Sequence, residues 1–320
     1  HGPSDTRVWG KAQRDVPSGM FKGRMGRQMS DSLSLQRATY EYVRMNGAGN
    51  AFIVVDAMEA RFRPSEDEVR RLASAEAGLG GFDQLIAVEK SADGDAFMRV
   101  WNSDGSLVET CGNALRCVGW LMLDATEKSE VRIDTLGGPT LARAAEDRGG
   151  LHQVTVDMGQ PRLDWQQIPL AEEMDTRGVE LQVGPIDDPV VHTPGAVSMG
   201  NPHVVFFTDR QDDSFVRGTG SLVEHHPLFP EGVNVGFANV LDRETIRLRV
   251  WERGAGLTQA CGTGACAAMV AASRRGLIGR SAKMILDGGE LLVEWDEGTD
   301  HVFMTGPIEI ELTGQLVSVL

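Results

Sequence analysis

Cysteine is scarce in this chain, with four in 320 residues, too few for a disulfide scaffold. No apolar run approaches the ~20 residues that span a bilayer. The first forty residues are polar and Arg-rich with no apolar stretch, so they do not read as a secretory leader. The expectation is a cytoplasmic protein with free thiols. Basic charge is also short. Lys and Arg total 31 against 46 Asp and Glu, and the net charge of -15 argues against nucleic acid or an anionic membrane as partner. Metal-binding spacings are missing as well. Cys111 and Cys117 stand six apart and Cys261 and Cys266 five apart, so neither pair projects from one helix face. There is no CxxC or HxxxH to build a zinc site, and no metal is expected.

What the chain does contain is a copy of itself. RVWNSDGSLVETCGNALRC at 99–117 aligns without a gap on RVWERGAGLTQACGTGACA at 249–267, an offset of 150 residues. The same offset carries Gln84 onto Asn234, and one residue more carries Gly49-Asn50 onto Gly200-Asn201. Three matches in one order indicate two related halves.

Each half repeats a coarse pattern. A Gly-Asn turn leads into a β-branched run, a second strand ends at Trp101 or Trp251, and a Gly-containing loop leads to Cys-Gly and a helix. Ala114–Leu123 and Ala265–Ala272 are apolar on nearly every side. A helix of that kind must be buried all round. The expected fold is therefore α+β, with two pseudo-symmetric lobes. Each is a curled, mostly antiparallel sheet around a central helix, with the site in the cleft between them. Residues 1–40 are expected to form a disordered extension, 41–157 the N-terminal lobe and 158–305 the C-terminal lobe. The alternating run from Gly306 to Leu312 reads as an edge strand, and 306–320 is expected to return to complete the first lobe.

Cys111 and Cys261 each precede a Gly at the start of such a helix. Helix N-termini favour thiolate over thiol, and their free N–H groups suit a carboxylate ligand. Two thiols facing one carbon from opposite sides would permit stereoinversion, one taking the α-proton and the other delivering one. A lone cysteine is ordinarily a small buried hydrophobe, and Cys117 and Cys266 stay in that class. For Cys111 and Cys261 the repeated placement outweighs that reading. Gly262-Thr263-Gly264-Ala265-Cys266-Ala267 also satisfies a dinucleotide fingerprint, with Asp287 beyond it. However, Glu252 to Ala260 separate that glycine turn from its strand, and the equivalent CGNALRCVG fails the pattern. His203 sits beside a repeated Gly-Asn motif, as a structural histidine or a neighbour tuning a thiol. His152, His192, His225, His226 and His301 have no such context.

MNGAGNAF, GFDQL, WNSDGSLVETCGNALRC, MGNPH, PEGVNVGF and WERGAGLTQACGTGACAA, in that order, resemble the signature blocks of the diaminopimelate epimerase family. The resemblance runs from about Tyr42 to Leu320. It implies a cofactor-independent, metal-free two-base epimerase. Such an enzyme interconverts LL- and meso-diaminopimelate for lysine and cell-wall precursor synthesis, and is typically a homodimer. By resemblance, Cys111 and Cys261 are the catalytic thiols, and Gly112, Asn113, Gly262 and Thr263 hold the carboxylate of the reacting end. Asn50 and Gln84 lie around the substrate, and Asn102, Asn201 and Asn234 fix its distal end. Arg253 would pair the distal carboxylate, for which a forked guanidinium is suited. Glu252 would meet a substrate ammonium and, with His203, influence the thiols. Ala51, Gly232 and Leu257-Thr258 depart from the usual pattern, and Leu312 stands where some members place a dimer-contact Tyr.

Two rival readings remain open. Proline, hydroxyproline or histidine racemases use two thiols but would not need the Asn102, Asn201, Asn234 and Arg253 set, while a related thiol-free isomerase type is excluded by Cys111 and Cys261. A non-catalytic amino-acid-binding protein or thiol redox sensor would keep its ligand after alkylation, where an epimerase would lose turnover.

Overall fold

The computed structural model describes residues 15–23, 37–109 and 111–319. The first half runs β1 (Arg37–Gly47), β2 (Asn50–Ala57), α1 (Glu66–Ala73), β3 (Gln84–Glu89), β4 (Ala96–Asn102), β5 (Leu107–Val108), α2 (Gly112–Thr126), β6 (Glu130–Thr135), β7 (Gly138–Arg148) and β8 (Leu151–Asp157). A small hairpin of β9 (Gln182–Val183) and β10 (Val191–His192) follows. The order then repeats as β11 (Gly195–Ser198), β12 (Pro202–Phe207), α3 (Asp213–Glu224), β13 (Asn234–Asp242), β14 (Thr245–Glu252), β15 (Gly256–Thr258), α4 (Gly262–Arg274), β16 (Ser281–Ile285), β17 (Glu290–Trp295) and β18 (Val302–Val319).

Strand pairing obeys the same repeat. β2 lies parallel to β3 with Phe52 opposite Gln84, and β12 lies parallel to β13 with His203 opposite Asn234. Leu85 faces Trp101 across the next antiparallel pair, as Val235 faces Trp251. Trp101 pairs with Leu107 on β5, and Trp251 with Leu257 on β15. The offset seen in the sequence is thus an offset in hydrogen-bond register.

All strands but β9 and β10 form one 16-stranded sheet. The path β1-β2-β3-β4-β6-β7-β8-β18 closes on itself, because β18 also pairs with β1. The other path leaves β18 through β17, β16, β14, β13 and β12 to β11. The architecture is sheet-rich with few helices, and its sheet closes like a barrel.

Two expectations need correction. The alternation in 306–312 suggested an edge strand, but β18 is the seam of the sheet. Residues 303–308 pair with β8, 302–305 with β17, and 309–319 with β1. Alternate residues Met304, Ile308 and Ile310 are buried, which gives the same period-2 signal as an edge. The expected disordered extension is also wrong for residues 15–23. Met20 and Phe21 join the main core, and Phe21 N donates to Asp56 Oδ2 at 2.9 Å. Those two side chains supply apolar surface that the polar average of the segment conceals. The rest of that expectation, residues 1–14 and 24–36, lies outside the described residues.

Helices α2 and α4 occupy equivalent places. α2 packs on β1, β6, β7, β8 and β18, while α4 packs on β11, β12, β13, β14, β16 and β17. Residues 112–119 and 264–272 are buried without a break. A Cβ on Gly119 would stand 2.7 Å from Ala142 Cβ, so the close approach of α2 to β7 at this point uses a residue without a side chain. Both helices belong to one continuous core. α1 packs in a second cluster with Tyr40, Phe62 and Trp101, and α3 in a third with Phe206, Phe229 and Phe237.

Candidate active site

Cys111 and Cys261 are the N-cap residues of α2 and α4, both in extended backbone. The two helix starts meet over Met304 of β18. A Cβ on Gly112 would stand 2.8 Å from Met304 Cε, and one on Gly262 3.1 Å from the same atom. A Cβ on Gly262 would also come within 3.3 Å of Asn113 Oδ1. With no Cβ at either position, the two helix N-termini converge over the Met304 side chain.

Around α2, Asn113 Nδ2 donates to Asn50 Oδ1 at 2.6 Å. Asn50 opens β2 beside Asp83, whose Oδ2 accepts from Asn50 Nδ2 at 3.5 Å and from Ala51 N at 2.8 Å. Gln84 and Asn102 face each other across β3 and β4, and Gln84 Nε2 donates to Asn102 Oδ1 at 3.1 Å. Gln84 Oε1 is buried without a partner. A buried amide oxygen without a donor is costly, so this atom suits a ligand's N–H.

Around α4, Thr263 Oγ1 lies 3.1 Å from His203 Nε2 and accepts from Asn201 Nδ2 at 3.2 Å. Asn201 Oδ1 lies 3.0 Å from His203 Nε2. Asn234 Nδ2 donates to Pro202 O at 2.9 Å, and its Oδ1 accepts from Arg253 N at 2.8 Å. Arg253 is exposed, and its Nη1 donates to Glu231 O at 2.8 Å. Among the described residues no carboxylate pairs with it. The loop carrying Arg253 is tied down by buried Glu224, which accepts from Gly254 N at 2.8 Å and Trp251 Nε1 at 2.7 Å.

The charges are set mainly by burial. Desolvation pushes the Cys111 and Cys261 thiols upward, and the nearby Glu252 carboxylate pushes both further. Backbone N–H groups oppose this, those of Asn113 and Ala114 in the first turn near Cys111, and Gly264 N together with the Thr263 hydroxyl at Cys261. Gly264 N reaches Cys261 Sγ at 3.3 Å. The helix N-termini therefore act in the expected direction but do not prevail over burial. Glu252 is itself raised by burial, moderated by donation from Thr258 Oγ1 at 2.6 Å and by the neighbouring Cys261. His203 is driven down to about 3, first by burial and then by Arg253, so it stands neutral.

The structure links Asn113 to Asn50 at the start of α2, and Thr263 to Cys261, Asn201 and His203 at the start of α4, while Gln84 with Asn102 and Asn234 with Arg253 form separate hydrogen-bonded pairs. His203 contacts neither thiol directly and reaches Cys261 only through Thr263, whose Oγ1 lies 3.6 Å from Cys261 Sγ. Arg116 and Glu224 were missed. A single Arg inside the otherwise apolar ALRCVG helix was a signal for the first. Nothing in the sequence marks the second. Among the described residues no three His, Cys, Asp or Glu side chains gather as a metal site would need.

A family model described as diaminopimelate epimerase matches residues 42–163 and 195–311. The diaminopimelate epimerase of Caulobacter sp. (strain K31) is 56% identical over 283 residues, covering 86% of this chain and 96% of that protein. That of Phenylobacterium zucineum (strain HLK1) is 53% identical over 275 residues, covering 86% and 97%. Among solved structures, a PhzF-family phenazine biosynthesis protein of Enterococcus faecalis superposes with a TM-score of 0.60 at 13% identity, covering 87% of this chain and 99% of that one. A hydroxyproline epimerase from Agrobacterium vitis, with bound trans-4-hydroxy-L-proline, gives 0.57 at 17% identity over 88% and 93%. At such identities these two show a shared fold alone.

Proposed function

The chain belongs to the diaminopimelate epimerase family, and from that premise we propose that it interconverts LL- and meso-2,6-diaminopimelate without a cofactor. The observation that carries this reading is the convergence of two Cys-capped helix N-termini over Met304. We read the repeated halves as two lobes, 41–157 with 306–320 and 158–305, and the site as the cleft between them. A homodimer is the assembly the family resemblance implies. The cytoplasm is the compartment that suits four free thiols.

In this reading the α-carboxylate lies against both helix starts, among Gly112, Asn113, Gly262 and Thr263. Glu252 takes the Cys261 proton, and one sulfur enters catalysis as thiolate with the other as thiol. The thiolate removes the α-proton from one face. Charge then develops on the carboxylate, where the helix N–H groups stabilise it. The thiol delivers its proton to the opposite face, and the two sulfurs exchange protonation state. The distal amino-acid end meets Asn102, Asn201, Asn234 and Arg253.

The test is to incubate freshly reduced protein with LL-diaminopimelate in D2O, without added cofactor or metal. The expected result is α-deuterium uptake together with meso product. No exchange from folded protein with four titratable thiols would reject this substrate and direct the same assay to proline, hydroxyproline and histidine.

A further inference from the structure

Arg116 is the largest fully buried side chain among the described residues, at 0% exposure. Its Nη1 donates to Asn113 Oδ1 at 2.8 Å and lies 3.9 Å from Met304 Sδ, while Nε and Nη2 have no partner. Among the described residues no carboxylate pairs with it. The ionisable groups whose charge reaches it are the thiols of Cys111 and Cys117 on α2 and of Cys266 on α4. Space is made for it on β18 by Gly306, where a Cβ would stand 2.9 Å from Arg116 Nε. A solitary buried cation is expensive, and a merely structural filler would be cheaper as Met or Leu.

We propose that Arg116 is a positioning residue that fixes the amide orientations of Asn113 and Asn50 and holds positive charge behind the paired helix starts. A guanidinium offers only donors, so the Asn113 oxygen must face it and the Asn113 NH2 must face away. That NH2 donates to Asn50 Oδ1, which turns the Asn50 NH2 toward Asp83. The line Arg116, Asn113, Asn50, Asp83 is a chain of hydrogen bonds with one direction, a cation at its buried end and a carboxylate at the other. Flipping either amide would set donor against donor or acceptor against acceptor. Asn113 therefore keeps its oxygen toward Arg116 and Gly262 and its NH2 toward Asn50, at the start of α2 where an anionic ligand group would lie. An anion there, or a thiolate at Cys111, supplies the negative charge that Arg116 otherwise lacks.

This inference deepens the proposed function and rests on it for the identity of the anion. Its test compares Arg116→Met and Arg116→Lys with wild type, reading Tm, kcat and KM for diaminopimelate, and the pH profile of Cys111 alkylation by iodoacetamide in a Cys261→Ser background. Arg116→Met should keep or raise Tm, lower kcat roughly tenfold or more and shift the alkylation profile upward. Arg116→Lys should keep the alkylation profile near wild type while kcat stays lowered, since an ammonium keeps the charge but not the fork. Losses from Arg116→Met and Asn113→Ala should not add, because one acts through the other. An Arg116→Met protein with wild-type kcat and alkylation profile, or additive losses, would overturn the proposal. Should Arg116→Met fail to fold, Arg116→Lys decides alone, and wild-type kcat from it would also overturn the proposal. Wild type that fails to exchange diaminopimelate would sink the functional reading, while the alkylation profiles would still decide the role of Arg116.

Discussion

The Glu252 carboxylate and the Cys261 thiol act on one another, and burial pushes each above its ordinary pKa. The negative charge of Glu252 also raises Cys111, so one carboxylate acts on both sulfurs. A buried acid and a buried thiol that share a proton form a base whose readiness depends on the acid staying ionised.

Glu252→Gln should therefore separate reactivity from catalysis. The Glu252 charge raises both thiols, so without it alkylation by iodoacetamide should reach its midpoint at lower pH than in wild type. Turnover should nevertheless fall by about 10²-fold or more, the usual scale for losing a general base. In wild type, kcat/KM should decline as pH falls through the raised pKa of Glu252, because the protonated acid can no longer accept from Cys261. An unchanged alkylation midpoint in Glu252→Gln would show that its charge does not reach the sulfurs.

Replacing either sulfur should end inversion, since inversion needs a group on each face. Cys111→Ala and Cys261→Ala are each expected to lose LL-to-meso conversion by about 10³-fold or more. Both should keep the circular dichroism of the wild type. Cys117→Ala and Cys266→Ala serve as controls, as their burial holds both thiols at about 12 and neither caps a helix. Full activity from either N-cap variant would remove the two-base assignment.

His203 should make the protein acid-sensitive. Its pKa is about 3 in the folded chain against an ordinary 6.5, so the unfolded chain binds the extra proton between those values. Stability contributed by the neutral imidazole is full above about 6.5 and is lost as pH falls toward 3. By about pH 4.5 the loss should be roughly 2–3 kcal/mol, measured by urea unfolding. His203→Gln, which can still bond Asn201 and Thr263, should flatten that dependence. An equally steep acid loss in the variant would assign it to other groups.

Much of this arrangement is legible in the sequence because a duplication reports on itself. The RVW and Cys-Gly matches at one offset reappear as Trp101 opposite Leu107 and Trp251 opposite Leu257, and as two Cys N-caps. What pattern cannot supply is sidedness and charge environment. β18 and an edge strand share the same alternation, and only the pairing with β1, β8 and β17 tells them apart. The expectations drawn from the repeated blocks cover neither α1 nor α3. Yet Ser65 and Glu68 carry a readable N-cap signal, and Ser65 Oγ accepts from Glu68 N at 3.2 Å. Helix N-termini pointed toward lowered thiol pKa values, whereas burial, invisible in composition, sends them up.

Arg253 offers the clearest separation between a substrate with two amino-acid ends and one with a single end. Its side chain is exposed, bonds only the Glu231 carbonyl among the described residues and adds nothing to the core. Arg253→Ala should therefore leave Tm within a few degrees of wild type, as surface changes do when no core contact is lost. A bidentate guanidinium–carboxylate contact would contribute about 1.5–3 kcal/mol. Its loss should raise KM for diaminopimelate or lower kcat/KM by roughly 10- to 100-fold. Arg253→Lys should recover only part of this, because a point charge cannot match both carboxylate oxygens. If KM and kcat for Arg253→Ala both match wild type, Arg253 lies outside the site. The distal end would then rest on Asn102, Asn201 and Asn234 alone, and a single-ended amino acid would become the better substrate to try.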